Sequence, residues 1–208
     1  MRHEFVFDDG GMNLLSSGAL RLIREQLPHD ASLFVFRSGR ERLFAAGADM
    51  AEMERFSACD AYEFARLGQE LFEDIERLPG TTVALIDGDC FGGALDLVLA
   101  FDLRFATPRS RFAHPGARLG IVTGIGGTSR WRKVLSRPAA NQLFLANRVF
   151  SAAEALEMGL VDRVAESHEG ELGRLEGMEA RMVKELAALA PHLTRREAFR
   201  LGSLRARI

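Results

Sequence analysis

The sequence predicts an α/β fold with parallel strands, because short apolar runs alternate with segments of helical periodicity. Residues 32–38 ("SLFVFRS") and 81–87 ("TTVALID") are rich in β-branched and aromatic side chains and are bounded by polar or glycine residues, as buried strands are. Between them, apolar residues recur every three or four positions and therefore share one helical face. These residues are Phe64, Leu67, Leu71, Phe72, Ile75 and Leu78.

The alternation continues along the chain. Pro79 and Gly80 are expected to end the first helix, because proline cannot continue it. Three later segments have the character of short strands: 102–107 ("DLRFAT"), 111–115 ("RFAHP") and 160–166 ("LVDRVAE"). The last of these follows a helix and is expected at the edge of the sheet.

Two later helical segments are predicted from their ends and their spacing. Ser151 and Glu154 have the spacing of a capping box, and Gly159 is placed to cap the C-terminus of the same helix. From about residue 171 the pattern becomes helical and charged. Its apolar residues at helical spacing are Leu175, Met178, Met182 and Leu186.

Composition excludes several classes of protein. The 208 residues are 47% hydrophobic, with 27 Lys and Arg against 29 Asp and Glu, and the near-neutral balance argues against a dedicated nucleic-acid or membrane-surface binder. No apolar run reaches the length of a membrane span and residues 1–10 lack the features of a signal peptide, so a cytoplasmic location is expected. Cys59 and Cys90 have neither metal-ligand spacing nor disulfide density, and each is expected to be a small buried hydrophobe.

A glycine pair marks the candidate site. Residues 84–103 ("ALIDGDCFGGALDLVLAFDL") run from a strand pattern through Gly92 and Gly93 into an apolar helix that carries Asp96. Glycine permits close approach to the backbone, and the first N–H groups of a helix lack intrahelical partners. Such a helix start favours developing negative charge. A second small-residue loop leading into a helix, 43–53 ("LFAAGADMAEM"), is a candidate for the second N–H donor.

Four segments, in this order, resemble the crotonase superfamily, which is the enoyl-CoA hydratase/isomerase group. They are "FAAGADMAEM" (44–53), "DGDCFGGALDLVLAFDLRFAT" (87–107), "FAHPGARLGIVTGIGGTSR" (112–130) and "SAAEALEMGLVDRV" (151–164). The resemblance implies a crotonase-like spiral of ββα units with a C-terminal helical region. It also implies binding of an acyl-CoA or acyl-carrier thioester, assembly as a homotrimer or dimer of trimers, no metal, and no cofactor beyond the coenzyme A of the substrate.

The same resemblance divides the chain and assigns its oxyanion site. Residues 1–165 would form the core with the thioester site, and 166–208 a helical oligomerisation region. Matched motif to motif, the backbone N–H groups of Ala48 and Gly93 would form the oxyanion hole for the thioester carbonyl. Losing one such donor typically costs about 2.7 to 4 kcal/mol of transition-state stabilisation.

Three further positions are implied to contact the substrate or its coenzyme A: Arg42, Ala46 and Asp49. Arg42 matches a position where many relatives carry a basic residue near the CoA phosphates, but it is equally consistent with a solvated loop charge. Asp49 precedes Glu52 by three residues, so a helix cap explains it without chemistry, and we favour that interpretation.

Asp96 is the candidate acid and base. It matches the first catalytic carboxylate of the hydratases, which is usually Glu. An acidic residue in the first turn of a helix is also favoured by the helix dipole alone, so a purely structural role is the alternative.

The chain departs from the hydratases at residue 116. After the proline of this segment the hydratases carry their second catalytic glutamate, and here the residue is Gly116. Each acid-base partner is commonly worth about 10² to 10⁴ in rate, so a single carboxylate would make a poor hydratase. His114 is suited to proton transfer or is a structural histidine. Thr123 matches the region from which decarboxylase and dehalogenase relatives supply a reactive side chain, and its hydroxyl could bond or orient a substrate.

Three functions therefore remain open. The favoured one is an acyl-CoA lyase or isomerase in which Asp96, helped by His114, moves a proton next to a polarised thioester. The second is a decarboxylase or a thioester or C–C hydrolase that uses the same oxyanion hole with fewer acid-base groups. The third is a non-catalytic relative that binds acyl-CoA.

Overall fold

The strands are short, and most are joined to a helix that follows them. A computed structural model describes residues 1–146, 148–176, 178 and 180–189. Its strands, in chain order, are β1 (Arg2–Phe7), β2 (Leu14–Leu15), β3 (Leu33–Ser38), β4 (Leu43–Ala45), β5 (Gly47–Ala48), β6 (Thr81–Ile86), β7 (Asp89–Phe91), β8 (Leu103–Ala106), β9 (Arg111–Ala113), β10 (Phe150–Ser151) and β11 (Arg163–Val164).

The helices surround these strands. They are α1 (Ser17–Glu25), α2 (Met50–Met53), α3 (Ala58–Arg77), α4 (Gly93–Val98), the 3₁₀ helix η1 (Pro115–Leu119), α5 (Gly127–Val134), α6 (Arg137–Leu145), α7 (Ala152–Glu157), α8 (Glu169–Leu175) and α9 (Ala180–Leu189). None of the helices in the described ranges is long and apolar enough to cross a membrane.

The main sheet has five strands, in the order β1-β3-β6-β8-β11, and every neighbouring pair is parallel. This confirms the prediction of an α/β fold with parallel strands. The central strands β3 and β6 are buried along most of their length because helices cover the sheet, which explains their continuous apolar sequences. The predicted edge strand within 160–166 is β11, which lies at one edge.

A second sheet contains strands β4 and β7, which precede the two small-residue loops of the candidate site. Its order is β10-β9-β7-β4, and only the β9–β10 pair is antiparallel. Strand β7 was not predicted: the chain turns at Gly88 after β6 and makes a second strand before α4. Gly88 has φ +90°, and a Cβ there would lie 1.9 Å from the carbonyl carbon of Arg42, so only glycine fits this turn.

Two predicted helix ends, the C-terminus of α3 and the N-terminus of α7, agree with the structure. Helix α3 closes at Leu78, immediately before Pro79, as predicted, whereas its start at the capping box of Ser57 was not predicted. At α7 the capping box of Ser151 and Glu154 is present, as predicted.

Gly159 differs slightly from its predicted position. The C-cap of α7 is Met158, and Gly159 follows it with φ +79°. It therefore occupies the left-handed position one residue beyond the cap, where glycine is strongly preferred.

Two apolar clusters stabilise the fold on opposite faces of the main sheet. The larger cluster holds most of the buried phenylalanines, among them Phe34, Phe36 and Phe101, whose rings are in contact. The smaller cluster is built from Leu33, Val35, Val83, Phe105 and Leu172. Because adjacent residues of a strand point to opposite faces, β3 contributes to both clusters.

The C-terminal part of the described chain packs on this smaller cluster. Leu172 of α8 is fully buried there and Leu175 packs against it. Met178 is 56% exposed, so it is not part of that packing. The side chains of Met182 and Leu186 lie outside what the structure describes, as do residues 190–208 of the predicted helical region.

The two cysteines differ. Cys90 is buried in β7, as predicted, whereas the prediction for Cys59 was wrong because its side chain is exposed. Cys59 is the second residue of α3 and lies off the helical face formed by Phe64, Leu71 and Ile75, so it points to solvent.

Candidate active site

A cavity of about 310 Å³ lies between the two small-residue loops, the start of α3 and the segment that links β9 to α5. Its outer wall is largely apolar and includes Met50, Met53, Phe56, Phe64 and Val122. The inner wall carries the polar groups described below. Small-molecule sites commonly have this form, with an apolar wall and a few convergent polar groups.

The two predicted loops meet at the inner end of this cavity. Gly47 has φ +103°, and a Cβ there would lie 2.8 Å from the carbonyl oxygen of Phe91 and 3.2 Å from the nitrogen of Gly93. Any side chain would separate the loops. Two strand-to-helix turns, β5 to α2 and β7 to α4, therefore lie in contact because Gly47 lacks a side chain.

Both loops present an N–H group at this junction. Asp49 N donates to Leu15 O at 3.4 Å, and because successive N–H groups of a strand alternate in direction, the N–H of Ala48 points away from β2. Gly93 is the first residue of α4, so its N–H has no intrahelical partner. A Cβ on Gly93 would lie 3.4 Å from Ala48 N. Two adjacent backbone donors of this kind can stabilise one oxyanion.

Asp96 lies in the first turn of α4 and is fully buried. Its Oδ2 accepts a short hydrogen bond from the hydroxyl of Thr123. Its Oδ1 has no hydrogen-bond partner among the described residues and lies 3.8 Å from His114 Nε2. One carboxylate oxygen is therefore held by a hydrogen bond, whereas the other is buried without one in the described part of the chain.

His114 is an ionisable side chain that lies next to Asp96 Oδ1. It is 6% exposed, and its ring lies 4.5 Å from that of Phe144 and 6.3 Å from that of Trp131, measured between centroids. Within the described part of the chain, Nε2 has no hydrogen-bond partner. A buried imidazole nitrogen that faces a buried carboxylate oxygen is suited to proton transfer.

Gly116 lies so close to His114 that a side chain at position 116 would contact the imidazole ring. A Cβ on Gly116 would lie 2.9 Å from His114 Cε1, 3.1 Å from its Nδ1 and 2.9 Å from the carbonyl oxygen of Ile121. The imidazole therefore occupies the space in which a side chain at position 116 would begin. Glycine at position 116 therefore makes room for the ring of His114.

Gly127 was not predicted as a site residue, although it lies in the third glycine pair of the sequence. A Cβ there would lie 1.8 Å from Asp96 Oδ1, closer than any side chain allows. The first residue of α5 thus packs directly against the carboxylate. The sequence shows Gly126 and Gly127 as a glycine pair, but the need for glycine at position 127 follows only from the packing of α5 on α4.

Cys90 is buried and is not among the residues that line the cavity, and its thiol is poorly suited to act as a nucleophile. Burial raises the pKa of its thiol well above the usual range, and the negative charges of Asp96 and Asp89 raise it further. The thiol is therefore protonated, whereas the reactive form of a cysteine is the thiolate.

The remaining predicted residues divide between the cavity and its surroundings. Ala46 and Thr123 line the cavity together with Asp96 and His114. Asp49 is the N-cap of α2, since its Oδ1 accepts from Glu52 N at 3.0 Å, which confirms the favoured interpretation. Arg42 is exposed on the turn before β4, away from the cavity wall. In the described ranges, no three His, Cys, Asp or Glu residues are grouped to hold a metal ion.

Comparison with known proteins decides the family. Residues 25–196 match the family model for enoyl-CoA hydratase/isomerase. The chain belongs to the enoyl-CoA hydratase/isomerase family. A crotonyl-CoA hydratase of Syntrophomonas wolfei is 35% identical over 164 residues, which cover 76% of this chain and 63% of that protein. An enoyl-CoA isomerase/hydratase of Mycosarcoma maydis is 37% identical over 123 residues, or 59% of this chain and 45% of that protein. The chain thus spans less than two thirds of the length of these relatives.

Solved structures share the fold of this chain. The chain superimposes on Pseudomonas aeruginosa DspI with a TM-score of 0.84 and 26% identity, covering 99% of this chain and 89% of that one. An enoyl-CoA hydratase of Bacillus anthracis gives a TM-score of 0.86 at 24% identity, over 98% of this chain and 84% of that one. The latter likeness concerns the fold, and the predicted crotonase-like spiral is therefore confirmed.

Proposed function

We propose that this chain is an enoyl-CoA isomerase that shifts the double bond of an acyl thioester by moving one proton. The observation that carries the proposal is a pair of buried polar atoms, Asp96 Oδ1 and His114 Nε2, which lie 3.8 Å apart and have no hydrogen-bond partner among the described residues. Both residues line the cavity. Membership of the enoyl-CoA hydratase/isomerase family supports a thioester substrate.

The reaction follows from the position of these groups. The thioester oxygen would accept from the N–H groups of Ala48 and Gly93, which polarises the carbonyl and acidifies the hydrogens at C2. Asp96 Oδ1 would take a proton from C2 of a 3-enoyl thioester, and the electron pair would delocalise into a dienolate held by the same two donors. Return of the proton to C4, from Asp96 or from His114, gives the conjugated 2-enoyl thioester.

Gly116 favours isomerisation over hydration. Water addition needs one group to activate water and another to manage the proton at C2. Position 116 offers no side chain, and the space beside it is filled by His114. A proton shift needs a single acid-base unit, which Asp96 and His114 supply together. The substrate brings its own coenzyme A, so the proposal requires no further cofactor.

Arg42 and Asp49 enter the proposal differently. Arg42 remains a candidate contact for the CoA phosphates outside the cavity. Asp49 would act only by capping α2, and so by holding Met50 and Met53 in the cavity wall.

The test uses 3-enoyl-CoA thioesters in deuterium oxide. The purified protein should form the conjugated 2-enoyl-CoA, seen by its ultraviolet absorbance, with deuterium at C2 or C4, seen by mass spectrometry. Asp96→Asn should lower the rate by about 10² to 10⁴, the usual worth of an acid-base group, and His114→Asn by a smaller factor. Asp30→Asn, an exposed carboxylate before β3, is the matched control.

Other products, or no product, would support one of the alternative functions instead. Addition of water to crotonyl-CoA at the rate of the isomerisation would contradict the proposal in favour of a hydratase. Release of carbon dioxide or free coenzyme A would favour the decarboxylase or hydrolase. Thermal stabilisation by acyl-CoA without any product would identify a non-catalytic binder.

The proposal includes self-association. Leu145, Val149 and Leu156, in and between α6 and α7, are at least 43% exposed, and exposed apolar side chains of this kind favour a protein interface. We propose a homotrimer or a dimer of trimers, to be checked by the native mass of the full chain. A monomer at micromolar concentration would contradict it.

A further inference from the structure

The two oxygens of the Asp96 carboxylate have different surroundings. Oδ2 accepts from the hydroxyl of Thr123, whereas Oδ1 has no hydrogen-bond partner in the described part of the chain. Since the whole side chain is buried, neither oxygen is compensated by bulk water. The orientation of the carboxylate therefore depends on the group that holds Oδ2.

The groups around Oδ1 restrict its position by steric contact, but none of the described residues forms a hydrogen bond with it. Gly127 packs so closely that a Cβ there would lie 1.8 Å from Oδ1, which prevents the carboxylate from moving towards α5. His114 Nε2, at 3.8 Å, lies beyond hydrogen-bond distance. Steric contact thus limits the position of Oδ1, and the hydroxyl of Thr123 fixes the rotation.

Thr123 itself belongs to the cavity wall. It lies between η1 and α5, is half-buried, and borders both the apolar cavity and a neighbouring polar cavity. A threonine hydroxyl has one hydrogen to donate, and here that hydrogen is used by Asp96. This differs from the role considered from the sequence, in which the hydroxyl contacts a substrate.

We propose that Thr123 is a positioning residue, whose hydroxyl holds Asp96 Oδ2 and thereby leaves Oδ1 as the oxygen that takes the substrate proton. The inference rests on the proposed function, because it concerns the orientation of the base in that reaction. It adds that the chemistry depends on a side chain that does not touch the reacting carbon atoms.

The experiment compares three variants of the full chain. Thr123→Val keeps the branched shape and removes the hydroxyl, while Thr123→Ser keeps the hydroxyl and removes the methyl group. Thr128→Val, at an exposed threonine five residues later, controls for the loss of a hydroxyl elsewhere. Deuterium incorporation from solvent into 3-enoyl-CoA measures kcat and KM, and thermal unfolding checks that each variant is folded.

A positioning role predicts that loss of the hydroxyl lowers kcat but changes KM little. Thr123→Val should lower kcat about ten- to a hundredfold, the usual effect of losing a hydrogen bond to a charged group, while KM changes less than about threefold. Thr123→Ser should keep kcat within about threefold of the parent, because the donor remains. Thr128→Val should match the parent. If Thr123→Val is unfolded, Thr123→Ala carries the same prediction.

Two results would overturn the inference alone. An increase in KM at constant kcat in Thr123→Val would make Thr123 a substrate-binding residue. Equal loss in the valine and serine variants would make its packing, and not its hydroxyl, the important property. A parent without proton exchange, in contrast, overturns the proposed function first and this inference with it.

Discussion

A side chain at position 116 and the imidazole of His114 compete for the same space. The competing atoms include a backbone oxygen, that of Ile121, which cannot rotate away as a side chain can. A glutamate at position 116 therefore does not fit unless these neighbouring atoms move.

Gly116→Glu is expected to give no water addition to crotonyl-CoA. The new side chain must displace His114, so proton exchange at C2 should fall at least tenfold and overpacking should destabilise the protein by about 1–3 kcal/mol. Exchange assays and urea unfolding measure the two effects. Gly170→Ala, where a Cβ meets nothing within 4 Å, is the control, and efficient hydration by Gly116→Glu would refute the steric argument.

The site residues that the sequence could predict are those whose signal is local. Asp96 follows Gly93 by three residues on one helix, so the pattern of a single segment suffices. Thr123 is 27 residues from Asp96 in the chain, and their hydrogen bond depends on how the segment before α5 crosses α4. No periodicity or capping signal encodes that crossing, so the sequence assigned Thr123 to a different role.

The start of α5 is positioned by its contact with α4, and Gly127 is the residue that permits it. Gly127→Ala is expected to separate the two helices, because its Cβ cannot coexist with Asp96 Oδ1. We expect a loss of about 1–3 kcal/mol in the free energy of unfolding and at least tenfold in exchange rate, since Asp96 must move. Urea unfolding and the exchange assay test this, and Gly173→Ala, which lies in open space, should show neither effect.

The capping box of α7 gives a prediction about pH. The backbone N–H of Ser151, the Arg148 guanidinium and the Ser151 hydroxyl lower the pKa of Glu154 from 4.5 to about 2. A carboxylate whose pKa is lowered on folding contributes stability above its unfolded pKa, and the contribution is lost as the pH falls towards the folded value. Glu154→Gln should therefore be less stable than the parent at pH 6, and the difference should shrink between pH 4.5 and 2.

Urea unfolding across this pH range measures that difference. Glu157→Gln, at an exposed position of the same helix, provides the control and should follow the parent at every pH. A difference between Glu154→Gln and the parent that stays constant down to pH 2 would mean that the charge of Glu154 is not responsible.

The elements that the sequence predicted best are those with explicit ends. Helix α7 begins at the serine capping box that was predicted, and α3 ends immediately before the predicted Pro79, so local sequence specifies these two ends. Strands β5 and β7 have two and three residues, which is too short for an alternating pattern. They exist because neighbouring strands supply hydrogen bonds, and tertiary structure rather than local sequence defines them.

The stability of the whole molecule includes a contribution from the smaller apolar cluster. Leu172→Ala should lower the free energy of unfolding by about 2–5 kcal/mol, because this fully buried side chain covers the outer face of the main sheet. The distant active site should keep its exchange rate in the folded variant. Urea unfolding and the exchange assay test both statements, and a loss below 1 kcal/mol would mean that α8 contributes little to the fold.

The fold class could be predicted because strands and helices alternate along the chain. The order β1-β3-β6-β8-β11 could not be derived from that alternation, since it depends on where each crossover places the next strand. The family resemblance supplied the spiral arrangement. The division at residue 165 and the role of the region that follows remain predictions.

The position of the single tryptophan has a practical consequence. Trp131, the one tryptophan of the 208 residues, lies 6.3 Å from the ring of His114 and stacks on Phe144. Indole fluorescence is sensitive to nearby charge and polarity, so entry of a thioester should change the emission of the unlabelled protein. The chain therefore carries its own optical reporter of the candidate site, which can follow binding in real time before any substrate is turned over.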